Sequence, residues 1–118
     1  MDRPDLISLR LESALRRGGR THTISDIADG LAHGRFQAIW NDDAMVITEI
    51  LQAPRRRWLS VNWAGGTLDG VARLQDDLAA VARRAQCDTV RAIVRPGLEQ
   101  PLKAAGWRRT AIAMEWNI

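Results

Sequence analysis

The second half of the chain dictates an order of elements that few folds accommodate. An alternating run, Trp58 to Ala64, meets Gly65-Gly66 and is followed by a long helical pattern, after which Thr89 to Val94 is β-branched and apolar enough for a buried strand. Leu68, Val71, Ala72, Leu74, Leu78, Val81, Ala82 and Ala85 share one face of that helix, while Arg73, Asp76, Asp77, Arg83 and Arg84 take the wet side. A helix between two strands makes a parallel crossover the default. Pro96-Gly97 ends the second strand, and Leu98 to Ala105 reads as a short helix limited by Pro101. Gly106 closes that helix, and Trp107 to Trp116 alternates as a final strand.

The first half supplies two helices and three strands. Pro4 suits a first helical turn, and Ile7, Leu11, Ala14 and Leu15 recur at helical spacing until Gly18-Gly19. Ser25 is placed to cap a second helix that carries Ile27 and Leu31 on one face and stops at Gly34. Phe36 to Trp40 leads into the turn Asn41-Asp42-Asp43. Ala44 to Leu51 then alternates with Met45, Ile47 and Glu49 on one side and Val46, Thr48 and Ile50 on the other. Apolar residues on both sides indicate a strand inside a covered sheet. After the turn at Ala53-Pro54-Arg55, Leu59, Val61 and Trp63 should oppose Trp58, Ser60 and Asn62, which completes an antiparallel meander. The expected fold class is thus α/β (α+β), in one domain spanning 1–118.

Composition narrows the functional classes. At 118 residues, 46% of them apolar and 26% charged, the chain suits a single globular core rather than disorder. No apolar run approaches the roughly 20 residues of a membrane span, and Met1-Asp2-Arg3-Pro4-Asp5 lacks the order of a signal peptide, so a soluble, non-secreted protein is expected. Cys87 is alone and the histidines are only His22 and His33, so neither disulfides nor a metal site is expected; Cys87 reads as core filler. The net charge is +3, and 16 of the 17 basic residues are arginine. Arginine excess fits phosphate or carboxylate recognition, and equally the bias of a GC-rich genome.

Taken together, this order resembles the GNAT superfamily of N-acetyltransferases over nearly the whole chain. The features that carry the likeness are Trp40-Asn41-Asp42 leading to Val46-Ile47-Thr48-Glu49-Ile50, then Asn62-Trp63-Ala64-Gly65-Gly66, Ala85-Gln86-Cys87-Asp88, Arg95-Pro96-Gly97 and Lys103-Ala104-Ala105-Gly106-Trp107. In detail the chain is most similar to small GNAT-like proteins of tailed, notably short-tailed, bacteriophages, some of them internal virion proteins. The resemblance implies a virion or host-cytoplasm location and other virion proteins as partners. A competing order, helix, three strands, helix from Ser25 to Ala85, is that of a double-stranded-RNA-binding domain. Its final helix should open with lysines, whereas this one opens with Gly66-Thr67-Leu68-Asp69-Gly70.

What the resemblance implies for chemistry can be set against the residues. A GNAT enzyme holds the acetyl-CoA pyrophosphate on backbone amides at the start of the long helix, where the helix dipole favours an anion. Here that place falls to Gly65, Gly66 and Thr67. No Arg or Lys lies between Trp58 and Val71, and Asp69 adds a negative charge whose plain alternative role is to support its own helix start. Family members often use a tyrosine as acid, and this chain has none. Glu49 is the one candidate base, and its ordinary alternative is a salt bridge, with Arg55, Arg56 or Arg57 as partner.

Three functions remain from different classes. The first is a catalytically degenerate GNAT-like domain that acts as a structural or interaction component of a virion, with no cofactor. The second is an active N-acetyltransferase using acetyl-CoA. The third is a nucleic-acid-binding module built on Arg55, Arg56, Arg57, Arg108 and Arg109, joined by Arg16, Arg17 and Arg20. Trp58, Trp63, Trp107 and Trp116 are expected largely in the core, and any exposed pair would mark a protein interface.

Overall fold

The structure is a computed structural model that describes residues 12–16 and 19–118. Residues 12–16 are helical and bury Ala14 and Leu15, as the periodicity predicts; Pro4, Ile7, Leu11, Arg17 and Gly18 lie outside the described residues. Helix α1 (Ile24–Ala32) is capped by Thr23 rather than Ser25. Thr23 Oγ1 accepts the Asp26 amide at 3.2 Å while Asp26 Oδ2 accepts the Thr23 amide at 2.8 Å. This reciprocal box satisfies two amides at once, which a lone Ser25 cap could not do. Its hydrogen bonds to Thr23 hold the Asp26 carboxyl below its ordinary pKa.

Strands β1 (Phe36–Trp40), β2 (Ala44–Gln52), β3 (Arg57–Gly66) and β4 (Thr89–Ala92) form one sheet in the order β1-β2-β3-β4. The first three are antiparallel and β4 is parallel to β3. Alternation along β2 sends Met45 and Ile47 into a core with Ala14, Leu15, Ile27, Phe36 and Trp63 on one face. Ala44 and Val46 join Leu59, Leu74, Leu78 and Ala82 on the other. Both faces are therefore dry, and Val46, Ile47 and Leu59 are fully buried. Cys87 packs against the second core.

The crossover is two helices, α2 (Leu68–Arg73) and α3 (Gln75–Arg84), rather than one. The Leu74 amide bonds to Val71 O at 3.0 Å, a tightened turn, and Leu74 O then accepts from Leu78 to start α3. The break lets α2 seat against the β1–β2 turn while α3 runs along β4, and it buries Leu74 but leaves Leu68 half exposed. After a 3₁₀ turn (Pro96–Leu98), α4 (Glu99–Ala104) ends near Gly106.

The expected final strand does not form. Residues 107–118 have no strand pairing, and Ile112, Met114, Trp116 and Ile118 are 70% exposed or more. Alternation gave them a strand's pattern, but a strand also needs a neighbour, and none is paired with them among the described residues. The core reading of the tryptophans holds only for Trp63; Trp58 and Trp107 are half-buried, and Trp40 and Trp116 are exposed.

Candidate functional site

The first candidate element is the turn from β3 into α2. Gly65 pairs with Met45 and Gly66 with Ala44, so both belong to the β2–β3 ladder. Gly66 takes φ +120°, and a Cβ there would lie 2.2 Å from the Asp43 carbonyl oxygen. A Cβ on Gly70 would lie 2.8 Å from Asp43 Cβ and 3.0 Å from Ala44 Cβ. These glycines let the start of α2 press onto the turn after β1. Asn41 fastens that contact: its Oδ1 accepts the Asp43 and Ala44 amides, both at 2.9 Å, and its Nδ2 donates to Gly70 O at 2.9 Å.

Two of the amide donors at this turn are turned inward. Thr67 N donates to Asp43 O at 3.1 Å, and Gly70 N donates to Thr67 Oγ1 at 2.9 Å. Two carboxylates, Asp43 and Asp69, flank the helix start and share Arg73, whose guanidinium is held above its ordinary pKa by Asp43 first and Asp69 second. Asp69 thus pairs with the residue four positions on in its own helix, besides sitting in the first turn. Sequence reasoning placed Asp43 in a turn and Arg73 on the wet side of the helix, but not the pairing that joins them across 30 residues.

The second element is the divergence of β3 and β4. Their parallel pairing covers Trp58 to Val61 against Thr89 to Ala92, yet β3 continues to Gly66. Ile93 is 86% exposed, so the chain leaves the sheet where β3 goes on. At this fork β3 carries a bulge: Ile47 pairs with Trp63 but Thr48 pairs with Val61, which leaves Asn62 as the extra residue. The bulge overturns the simple alternation, because Trp63 enters the core of α1 while Leu59 and Val61 face α2 and α3.

Glu49 lies beside the bulge. Asn62 Nδ2 donates to its Oε1 at 2.9 Å, and Arg35 Nε donates to its Oε2 at 3.0 Å. Ser60 Oγ in turn donates to Asn62 Oδ1 at 2.7 Å. The ion-pair partner is Arg35, not an arginine of the 55–57 run, because Glu49 pairs across the ladder with Phe36, next to Arg35. The Glu49 side chain is only 16% exposed, and both its oxygens are engaged. From Glu49 to Met45, the ladder partner of Gly65, is four residues of unbulged strand, about 14 Å at ~3.4 Å each, so the candidate base and the candidate cradle stand at opposite ends of the fork.

The arginines divide by role. Arg57 is structural: its Nε donates to Ala85 O at 2.7 Å, its Nη1 to Gln52 Oε1 at 3.0 Å, and its amide to Asp88 Oδ2 at 3.1 Å. Arg109 binds Glu99 through both Nε and Nη2, and with Lys103 it lowers the Glu99 carboxyl to a pKa of about 2, Arg109 being the larger cause. Arg16, Arg20, Arg55, Arg56 and Arg108 are exposed. The side chains that join Arg55 and Arg56 in one depression are Trp58 and Arg91, rather than Arg108 and Arg109.

Comparison with known proteins bears on the fold. No protein-family profile matches the chain, and no curated protein sequence matches it. Among solved structures, a Trypanosoma brucei acetyltransferase superposes with a TM-score of 0.66 at 14% identity, over 94% of each chain. A mutant of the BH1408 protein of Bacillus halodurans gives 0.67 at 13% identity, over 97% of this chain and 90% of that one. The TTHA1254 protein of Thermus thermophilus gives 0.62 at 14% identity, over 92% and 89%. Identities this low carry the fold alone: the chain shares its mixed α+β architecture, with a four-stranded sheet of antiparallel and parallel pairs, with an acetyltransferase.

Proposed function

We propose that this GNAT-like domain works by binding other proteins and not by acetyl transfer. The observation that carries the reading is the β3–α2 turn, where the amides of Thr67 and Gly70 already have acceptors and two carboxylates stand beside them. A pyrophosphate brought there would have to displace internal hydrogen bonds and approach like charge, and both steps oppose binding. The absence of tyrosine and the double engagement of Glu49 agree with this. The exposed apolar side chains Ile112, Met114, Trp116 and Ile118 offer contacts to a partner, since large apolar groups gathered in one exposed segment point to an interaction surface. In a phage particle, as the resemblance of the chain implies, that partner is another virion protein. Thermal unfolding with millimolar acetyl-CoA tests the reading: the midpoint should not move. Cofactor at 100 times its dissociation constant would add about 2.7 kcal/mol, and a rise of that size overturns it.

A second reading, an active acetyltransferase, is favoured by one observation: among the described residues no strand pairs with the Asn62 to Gly66 edge of β3 on the β4 side, and Glu49 sits at its base. In that reading Gly65, Gly66 and Thr67 receive acetyl-CoA and Glu49 takes the amine proton. Cofactor binding that survives Glu49→Gln while acetyl transfer is lost would select it.

A further inference from the structure

The tip of the β2–β3 hairpin holds a site that lies apart from the fork. Ala53 N donates to Arg56 O at 2.8 Å and closes the turn, which projects Arg55 and Arg56 into solvent. Beside it the Arg91 guanidinium lies over the Trp58 ring, 4.5 Å from its centroid. Thr89 pairs with Trp58 and Arg91 with Ser60, so the strands hold this stack at the paired, closed end of β3 and β4. Leu59, Val61 and Val90 face α2 and α3; by alternation Trp58, Ser60 and Arg91 point to the opposite face. The result is an open depression of about 400 Å³ lined by Ala53, Pro54, Arg55, Arg56, Trp58 and Arg91.

The lining has three positive charges, an indole and a proline, and no carboxylate. The nearby Asp88 is engaged by the Arg57 amide. Arg55 and Arg56 are not among the side chains that hold the hairpin, in contrast with Arg57. We infer that this depression binds single-stranded nucleic acid: Arg55 and Arg56 take backbone phosphates, while the Trp58–Arg91 stack and Pro54 provide a flat floor for a base. Phosphate binding by arginine and stacking of splayed bases on aromatic or guanidinium planes are the two components of such recognition. An acidic polypeptide would use the charges but leave the flat floor idle, and the stacked bases of a duplex cannot reach it.

The test is fluorescence anisotropy of a labelled oligothymidylate of about 15 nucleotides, titrated with full-length protein between about 50 and 200 mM salt. Binding should weaken with salt. Arg55→Ala/Arg56→Ala should weaken it further and reduce the log–log salt slope by about 1.4, at ~0.7 per phosphate on a single strand. Trp58→Leu should weaken binding roughly tenfold with the slope unchanged. Because Trp58 is half-buried, Arg91→Ala, at an exposed position, is the parallel variant and should also weaken binding. Three results overturn the inference: no salt-dependent binding, variants that bind like the unaltered protein, or a polyglutamate or duplex of equal charge that binds as tightly as the single strand.

Discussion

If the glycines at the start of α2 serve packing, adding one methyl group to Gly70 should reverse its usual sign. Within a helix, Gly to Ala is ordinarily stabilising by about 1 kcal/mol. Here the new Cβ would stand 2.8 Å from Asp43 Cβ, 2.9 Å from Thr67 Oγ1 and 3.0 Å from Ala44 Cβ. Thr67 Oγ1 could rotate away only by giving up the cap to Gly70 N, and the other two atoms are fixed to the backbone of the β1–β2 turn. Overpacking of this kind costs about 1–3 kcal/mol, so Gly70→Ala should come out destabilised by about 1 kcal/mol, a drop of ~4 °C in Tm. Gly97→Ala is the control, because a Cβ there meets nothing within 4 Å. It should be neutral or slightly stabilised. Gly66→Ala adds a φ of +120° and an approach of 2.2 Å to Asp43 O, and should lose more than Gly70→Ala. Chemical denaturation of the three variants reads the order directly. A Gly70→Ala protein more stable than its parent would refute the packing argument, since it would mean that α2 does not press on the turn.

Two further outcomes follow from single groups. Thr89 Oγ1 is buried without a hydrogen-bond partner among the described residues, so Thr89→Val should raise stability by about 1 kcal/mol in the same denaturation assay. Glu99 has a folded pKa of about 2, below its ordinary 4.5, so its pairing with Arg109 and Lys103 stabilises fully above pH 4.5 and is lost as the pH falls towards 2. Glu99→Gln should therefore flatten the stability curve across that window, though not entirely, because the Asp26 carboxyl is also lowered.

The fold was largely legible because its elements announce themselves locally. The helix that buries Ile27, the burial of residues 14 and 15, the two-sided alternation of β2, and the strand–glycine–helix–strand order all reappear in the structure, although Leu31, expected beside Ile27, is exposed. What escaped was set by distant partners. The break at Leu74 arises because α2 is tied to Asn41 and Asp43 while α3 follows β4. The bulge at Asn62 arises from register against β2, and it moves Trp63 to the other face. The 107–118 segment had a strand's pattern and no neighbour. At the site, Glu49 and Gly65 to Thr67 were visible as residue types, but the partners that decide what they are free to do were not: Arg35 and Asn62 lie 14 and 13 positions from Glu49, and Asp43 and Arg73, which meet beside Thr67, lie 30 positions apart. Among the arginines, charge in sequence did not separate Arg57, which holds the hairpin, from Arg55 and Arg56, which do not.

We propose that a fold shared with an acetyltransferase does not take up acetyl-CoA here, because the Thr67 and Gly70 amides are already bonded to Asp43 O and Thr67 Oγ1. Hydrogen exchange of the Thr67 and Gly70 amides, followed by NMR with and without acetyl-CoA, tests this most directly. Both amides should be protected in the protein alone, by Asp43 O and Thr67 Oγ1, and acetyl-CoA should change neither rate. Amides that exchange freely alone and become protected only when acetyl-CoA is added would contradict it.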